Sequence, residues 1–345
     1  MKRSLFFLLL LLPLIVWADE DVTIRVRRIW QGDYCAFTSL IYHNGFFYCS
    51  FREADTHHAN SEVPGTLGRS RILRSKNGKS WQSVALLRKD GIDLRDPKLS
   101  VMPDGRLMAI QGGSVYEGKK LVAMYPQVSF SSDGVHFSDP QLVVLDSAVS
   151  GGYEWIWRVT WYKGVGYGVI YGSGVSLVST TDGIHYRLVT RFDLPRNPGE
   201  TSLGFLSDGT MLFIARCEGG DKHGLWGRSL PPYTDWQWTD MNIPLGGPDI
   251  LVLNDSTTIL GSRSLYASEK TMMFRGNTSG QFEECCLLPS GGDDNSYSGM
   301  VVRGKYLYVT YYSRHATPKA SIYWARLPLS MFTQPRTNTY YPQRW

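Results

Sequence analysis

Apolar and polar residues alternate along most of the chain in short runs, separated by turns that contain glycine or aspartate. Period-two runs of this kind predict half-buried strands, and Asn-Gly, Asp-Gly or Lys-Gly between two of them predicts a hairpin. Six segments share that shape: SLIYHNGFFYCSFR, LSVMPDGRLMAIQG, VTWYKGVGYGVIYG, LGFLSDGTMLFIAR, ILVLNDSTTILGSR and GMVVRGKYLYVTYY. Their turns fall near Gly45, Gly105, Gly164, Gly209, Asp255 and Gly304, at spacings of 60, 59, 45, 46 and 49 residues. A hairpin that recurs with so even a period predicts an all-β, six-bladed β-propeller of four-stranded antiparallel blades. No long helical periodicity competes with that assignment.

A second repeat lies between the hairpins. SKNGKSW (75–81), SSDGVHF (131–137) and TTDGIHY (180–186) each read S/T-x-D/N-G-x-x-aromatic, with a fainter copy from Ser229 to Trp236. The Asp or Asn and the Gly suit a tight turn closed by side-chain-to-backbone hydrogen bonds, with the aromatic tucked beneath. This is a structural motif, remote from chemistry.

The chain's start departs from the alternation. Lys2 and Arg3 precede a nearly pure apolar run from Leu5 to Val16, and Val16-Trp17-Ala18 offers a small-residue cleavage site. Residues 1–18 are therefore expected to be a signal peptide and residues 19–345 a single secreted or periplasmic domain. The run is too short for a comfortable membrane span, and no integral membrane segment is expected in the mature chain. Removing Lys2 and Arg3 lowers the formal charge from +5 to +3. The remaining basic residues are scattered, which argues against a nucleic-acid partner. The five cysteines, Cys35, Cys49, Cys217, Cys285 and Cys286, lack metal spacing and form no even-numbered disulfide set. Pairing across Asn44-Gly45 sets Cys49 opposite Leu40 and Cys35 opposite Ala54, too far apart for a bridge. Core packing is expected, and neither metal nor cofactor is implied.

Counting from the turns groups the remaining polar residues. Arg52, Arg216 and Arg263 each close the second strand of a hairpin, seven or eight residues after the turn. Asp96, Arg158, Glu200 and Tyr297 enter first strands six to nine residues before theirs. In equivalent hairpins all these side chains emerge at one open edge of the propeller. An isolated arginine there is most simply a solvated strand end, but three clustered cations call for an anion. Guanidinium forks suit a carboxylate ligand. Trp155, Trp157 and Trp161, around Arg158, are most simply core, although a flat face for a sugar ring is the alternative.

The S-x-D-G-x-x-W boxes and six hairpins together resemble the sialidase (neuraminidase) superfamily, and segments such as FREADTHH, WRVTW and GGPDIL resemble a bacterial sialidase-like branch. The resemblance in architecture covers nearly the whole mature chain. It implies three arginines holding the sugar carboxylate, a tyrosine nucleophile paired with a glutamate, and an aspartate acid. ETSLGFLSDGTMLFIAR is similar to the family's glutamate-to-arginine block and points to Glu200 and Arg216. NSYSGM is similar to its tyrosine motif and points to Tyr297, and RDPKLSVMPDGR to its Asp-Pro segment, containing Asp96. Arg263 would be the third arginine and Arg52 the first, although Arg52 lies in F-R-E-A rather than the family's R-I-P. The acid is expected in EADTHHANSEVPGT, where Asp55 is the first choice and His57, His58 and Glu62 are the others. His57, His58 and Arg158 are also candidate substrate contacts, alongside Asp96. The function so implied is retaining exo-sialidase hydrolysis of a sialoglycoconjugate. A hydrolase or lyase for uronic-acid glycans and an inactive acidic-glycan-binding propeller are the alternatives.

Overall fold

The computed structural model of the chain describes residues 24–264, 269–334 and 340, so the expected export segment lies outside the described residues. Among the described residues, helical structure is confined to single turns at Ser147–Val149 and Ser330–Thr333. All else that is regular is strand. Tyr34–His43, Phe46–Ala54, Arg69–Ser75 and Gln82–Leu87 form one antiparallel meander, and Ile92–Val101, Leu107–Glu117, Lys120–Ser131 and Gln141–Leu142 form the next. A third runs from Glu154–Tyr162 to His185–Phe192, with Val144–Leu145 added in parallel at its edge.

The next strands, from Pro198–Phe205 to Phe282–Leu287, differ from the expected separate four-stranded units by running as one seven-stranded sheet. The reason is the strand Gln237–Val252, which pairs through its first half with His223–Ser229 and through its second with Thr258–Ser264. No hairpin turn interrupts it. In the last sheet, Ser296–Arg303, Tyr306–Ser313 and Ser321–Pro328 are completed by Arg25–Gln31 from the opposite end of the described chain. That pairing covers an edge that would otherwise present free N–H and C=O groups.

The turn motifs form as their residues dictate. The Gly78, Gly134 and Gly183 amides donate to Ser75, Ser131 and Thr180 Oγ at 2.9 Å in all three turns. Asn77, Asp133 and Asp182 Oδ1 accept from the two amides that follow, at 2.8–3.2 Å. The copy at Ser229–Trp236 keeps only its ends: the Trp236 indole donates to the Tyr233 carbonyl at 2.9 Å, as Trp81 does to Gly78 at 3.3 Å.

Apolar faces of neighbouring sheets make the core. Met108, Ile110 and Val128 pack on Ile156, Val159 and Ile170, and Ile259 and Met273 pack on Val309 and Leu327. Each such side chain fully withdrawn from water contributes about 1.5–3 kcal/mol. All five cysteines are buried in apolar clusters of this kind. Leu40 does face Cys49, but Cys35 faces Glu53 and not Ala54. The one-residue offset comes from a bulge, and that bulge recurs.

In each first-to-second-strand pairing the first strand holds one extra residue. The flanking pairs are Ala36↔Arg52 and Ser39↔Ser50, Arg95↔Gly112 and Lys98↔Ile110, and Ile156↔Ile170 and Val159↔Gly168. The others are Pro198↔Cys217 and Thr201↔Ala215, Gly246↔Arg263 and Asp249↔Gly261, and Ser296↔Tyr312 and Gly299↔Thr310. A bulge breaks the ladder locally and turns a side chain out of the pleat. Phe37, Asp96 and Tyr297, within these bulges, have φ of 65°, 50° and 50°. Left-handed backbone at such residues costs about 1–3 kcal/mol each and is characteristic of functional sites.

Candidate active site

The six bulges converge on one phenol. Tyr297, which is 6 % exposed, meets the Phe37 ring at 5.0 Å and the Trp157 ring at 5.5 Å between centroids. Its hydroxyl donates to Glu200 Oε1 at 2.7 Å. Gly247, from a further bulge, donates its amide to Glu200 Oε2 at 2.9 Å. A Cβ on Gly247, whose φ is +58°, would lie 2.5 Å from the Tyr297 ring, so only glycine admits the tyrosine. The Asp96 charge acts on Tyr297 as well.

Two of the three predicted arginines are at this point. Arg216 Nη1 donates to the Tyr297 hydroxyl at 3.0 Å and to Glu200 Oε1 at 3.2 Å, and its Nη2 pairs with Glu218 at 2.7 Å. The Arg263 guanidinium lies 5.4 Å from the Tyr297 ring centre, with Nη2 on Asp294 Oδ1 at 2.8 Å and Nε on the Asn295 carbonyl at 3.1 Å. Burial, and then the Glu200 carboxylate, hold the Tyr297 pKa well above its ordinary value, while Arg216 and Arg263 act the other way. The resting phenol is neutral, and Glu200 is placed to take its proton.

Arg52 departs from the expected triad. It is wholly buried, and its Nε, Nη1 and Nη2 are spent on Asp93 (2.9 Å) and the carbonyls of Thr56 (2.9 Å) and Thr66 (3.0 Å). Register explains this. Arg52 and Arg263 both pair with the residue just before a bulge, and each bonds the aspartate three residues ahead of the following bulge residue, Asp93 before Asp96 and Asp294 before Tyr297. The two ion pairs are one device at two sheet junctions. The segment 55–68 covers the first, whereas the Arg263 guanidinium of the second lies against the Tyr297 ring.

Arg158 is likewise apart from the pair. Its Nη2 meets Asp249 at 3.2 Å and the Ser298 carbonyl at 3.1 Å, and it lines a cavity of about 280 Å³ with Lys98 and Asp249. Lys98 is buried, 4.5 Å from the Trp157 ring centre, and burial lowers its pKa. Asp96 is buried with Oδ1 lacking a hydrogen-bond partner, and burial raises its pKa. Trp155 and Trp157 are buried, as the core reading expects.

The acid candidates separate cleanly. Asp55 is exposed at the base of its loop, its amide donating to the Gly65 carbonyl at 2.9 Å, and Glu62 is exposed near Gly118. His57 is half-buried, edge-on to Phe37 at 5.7 Å, and stacked on the exposed His58 at 4.7 Å. Its Nδ1 lies 2.8 Å from Asp294 Oδ2. Asp294 was not among the sequence candidates. It also accepts from the hydroxyls of Tyr34 and Tyr312, the latter at 2.5 Å. Its one sequence signal is its offset of three residues before Tyr297, shared by Asp93 before Asp96.

No protein-family model and no curated protein matches the sequence. Solved structures do match in fold. A Dyadobacter fermentans protein of unknown function superposes with a TM-score of 0.76 at 17% identity, over 88% of this chain and 99% of its own. A mutant Trypanosoma rangeli sialidase displaying trans-sialidase activity follows at 0.67 and 9%, over 87% of this chain. The match spans 55% of that sialidase's length. An α-L-arabinanase of Penicillium chrysogenum, complexed with arabinobiose, matches at 0.64 and 16%, over 90% and 99%. This chain thus has an all-β propeller fold that is also found in glycoside hydrolases.

Proposed function

We propose that the protein is an exported, retaining exo-glycosidase of sialidase type that removes a terminal acidic sugar such as sialic acid. One observation carries the reading: a buried phenol, Tyr297, bonded at once to a carboxylate, Glu200, and a guanidinium, Arg216. Attack on a sialoside brings the nucleophile beside the substrate's own carboxylate, which would repel an anionic nucleophile. A neutral phenol avoids that repulsion and becomes nucleophilic as Glu200 takes its proton. Tyrosine nucleophiles are the sialidase exception among retaining glycosidases.

Arg216 and Arg263 hold the sugar carboxylate in this reading. Arg95 replaces Arg52 as the third cation. Its guanidinium lies 5.3 Å from the Phe37 ring centre, and its nearest partner, Asp93, is 3.5 Å away. Asp96, whose pKa burial raises, has Oδ1 free of hydrogen bonds and offers it to a sugar hydroxyl. The seven-stranded sheet counts as two blades sharing Gln237–Val252, which makes six blades in one domain over residues 19–345. Residues 1–18 direct export.

A second reading, a hydrolase or lyase for uronic-acid glycans, draws on His57 standing by the site where an aspartate acid is expected. Released sugars should be assayed on a fluorogenic sialoside and on uronate polysaccharides. Sialic acid is expected, and Tyr297→Phe and Glu200→Gln should each lower kcat by at least roughly 10²–10⁴-fold. Full activity in both variants contradicts the mechanism. Released uronates, saturated from a hydrolase or unsaturated from a lyase, favour the second reading, and binding without product favours a glycan-binding protein.

A further inference from the structure

We propose that His57 is the general acid of this site and that Asp294 is the positioning residue that orients it; the assignment rests on the Tyr297–Glu200 reading above. Asp294 gathers four donors: His57 Nδ1 at 2.8 Å, Arg263 Nη2 at 2.8 Å, Tyr312 at 2.5 Å, and Tyr34. A carboxylate that receives four donors is held ionised, and its pKa is lowered against the opposing effect of burial. An ionised Asp294 accepts the Nδ1 proton of His57 and fixes the ring's orientation. That leaves Nε2, unbonded among the described residues, as the nitrogen that exchanges protons.

The imidazole is also in the right company. The Phe37 ring is in contact with both, 5.7 Å from the imidazole and 5.0 Å from the Tyr297 ring between centroids. Its side chain is 32% exposed, so solvent and a leaving group reach it. Asp55 and Glu62 are exposed elsewhere on the loop, and the structure records no contact of either with Tyr297, Glu200 or an arginine. The surrounding charged and titratable groups are His58 stacked on the ring, Tyr34 at 2.9 Å, and Arg52 and Arg314 over the Tyr34 ring. Arg95 lies 5.3 Å from the Phe37 ring centre.

The proton ledger closes. The His57 Nε2–H proton moves to the glycosidic oxygen as its bond to the anomeric carbon breaks. Tyr297 Oη bonds that carbon and gives its own proton to Glu200. Neutral His57 then takes a proton from water, whose oxygen attacks the anomeric carbon and breaks the Tyr297 bond. Glu200 returns the phenol's proton, and His57 is left protonated for the next cycle.

Leaving groups separate this role from a structural one. An aryl sialoside departs without protonation, whereas an alkyl-linked one such as sialyllactose needs the acid. His57→Gln, in a half-exposed loop, is expected to lower kcat/KM on sialyllactose roughly 10²–10⁴-fold and on 4-nitrophenyl sialoside less than about tenfold. Asp294→Asn should show the same split at smaller size. An equal fall on both substrates overturns the acid role. A wild-type protein inactive on both overturns the sialidase reading and this assignment with it.

Discussion

A single residue decides what this site does, and its neighbours explain its state. Tyr297 is buried, its hydroxyl donates to Glu200, and Arg216 and Arg263 stand against it. Burial favours the neutral phenol, so in the proposed mechanism it becomes a nucleophile only as its proton passes to Glu200. The arginines show how far residue type alone informs. Arg52 and Arg263 occupy equivalent register positions, yet one is a sealed ion-pair partner and the other faces the phenol. Arg52→Met should therefore cost stability, about 3–5 kcal/mol by chemical denaturation, because it breaks a wholly buried ion pair and leaves Asp93 with only the longer ion pair to Arg95. Arg263→Met should instead raise KM roughly 10–100-fold, the size expected for one lost charge-assisted hydrogen bond. A KM change at Arg52 with unaltered stability would reverse the assignment.

At the scale of elements, the bulge makes the site. Hairpins, their even spacing and the S/T-x-D/N-G turns were legible in the sequence, because alternation and turn chemistry are local. Asp96, Glu200 and Tyr297 could be found by counting from the turns, since the count stays on one strand. The fate of Arg52 could not. It depends on which segment covers the junction, a contact between Arg52 and the segment 55–68 with Asp93 on another sheet. Asp294 was missed for a similar reason: its partners Tyr34 and His57 lie more than two hundred residues away. The unbroken passage through Gln237–Val252 escaped notice because its halves read as separate strands. Gly247 tests the bulge directly. Gly247→Ala puts a Cβ into the Tyr297 ring at positive φ and should lower kcat at least tenfold while the far-UV circular dichroism is unchanged. Wild-type kinetics in that variant would mean the ring has room that the structure denies it.

At the scale of the molecule, an all-β ring of meanders carries these bulges to one place and closes on itself through the pairing of Arg25–Gln31 with Ser321–Pro328. Residues from five sheets act on Tyr297 although they lie far apart in sequence. That fold is shared with sialidases and an arabinanase, so the fold by itself does not fix a substrate. The polar run DDNSYS supplies two of the central groups at once, Asp294 and Tyr297. The most direct measurement of the central claim is mass spectrometry of the peptide containing Tyr297 after incubation with 2,3-difluorosialic acid. The fluorine at the anomeric carbon leaves as Tyr297 attacks, and the second fluorine slows hydrolysis of the adduct. A 3-fluorosialosyl group on Tyr297, absent in Glu200→Gln, is the predicted result. Turnover of sialosides with no adduct, or with the label on another residue, would contradict the account.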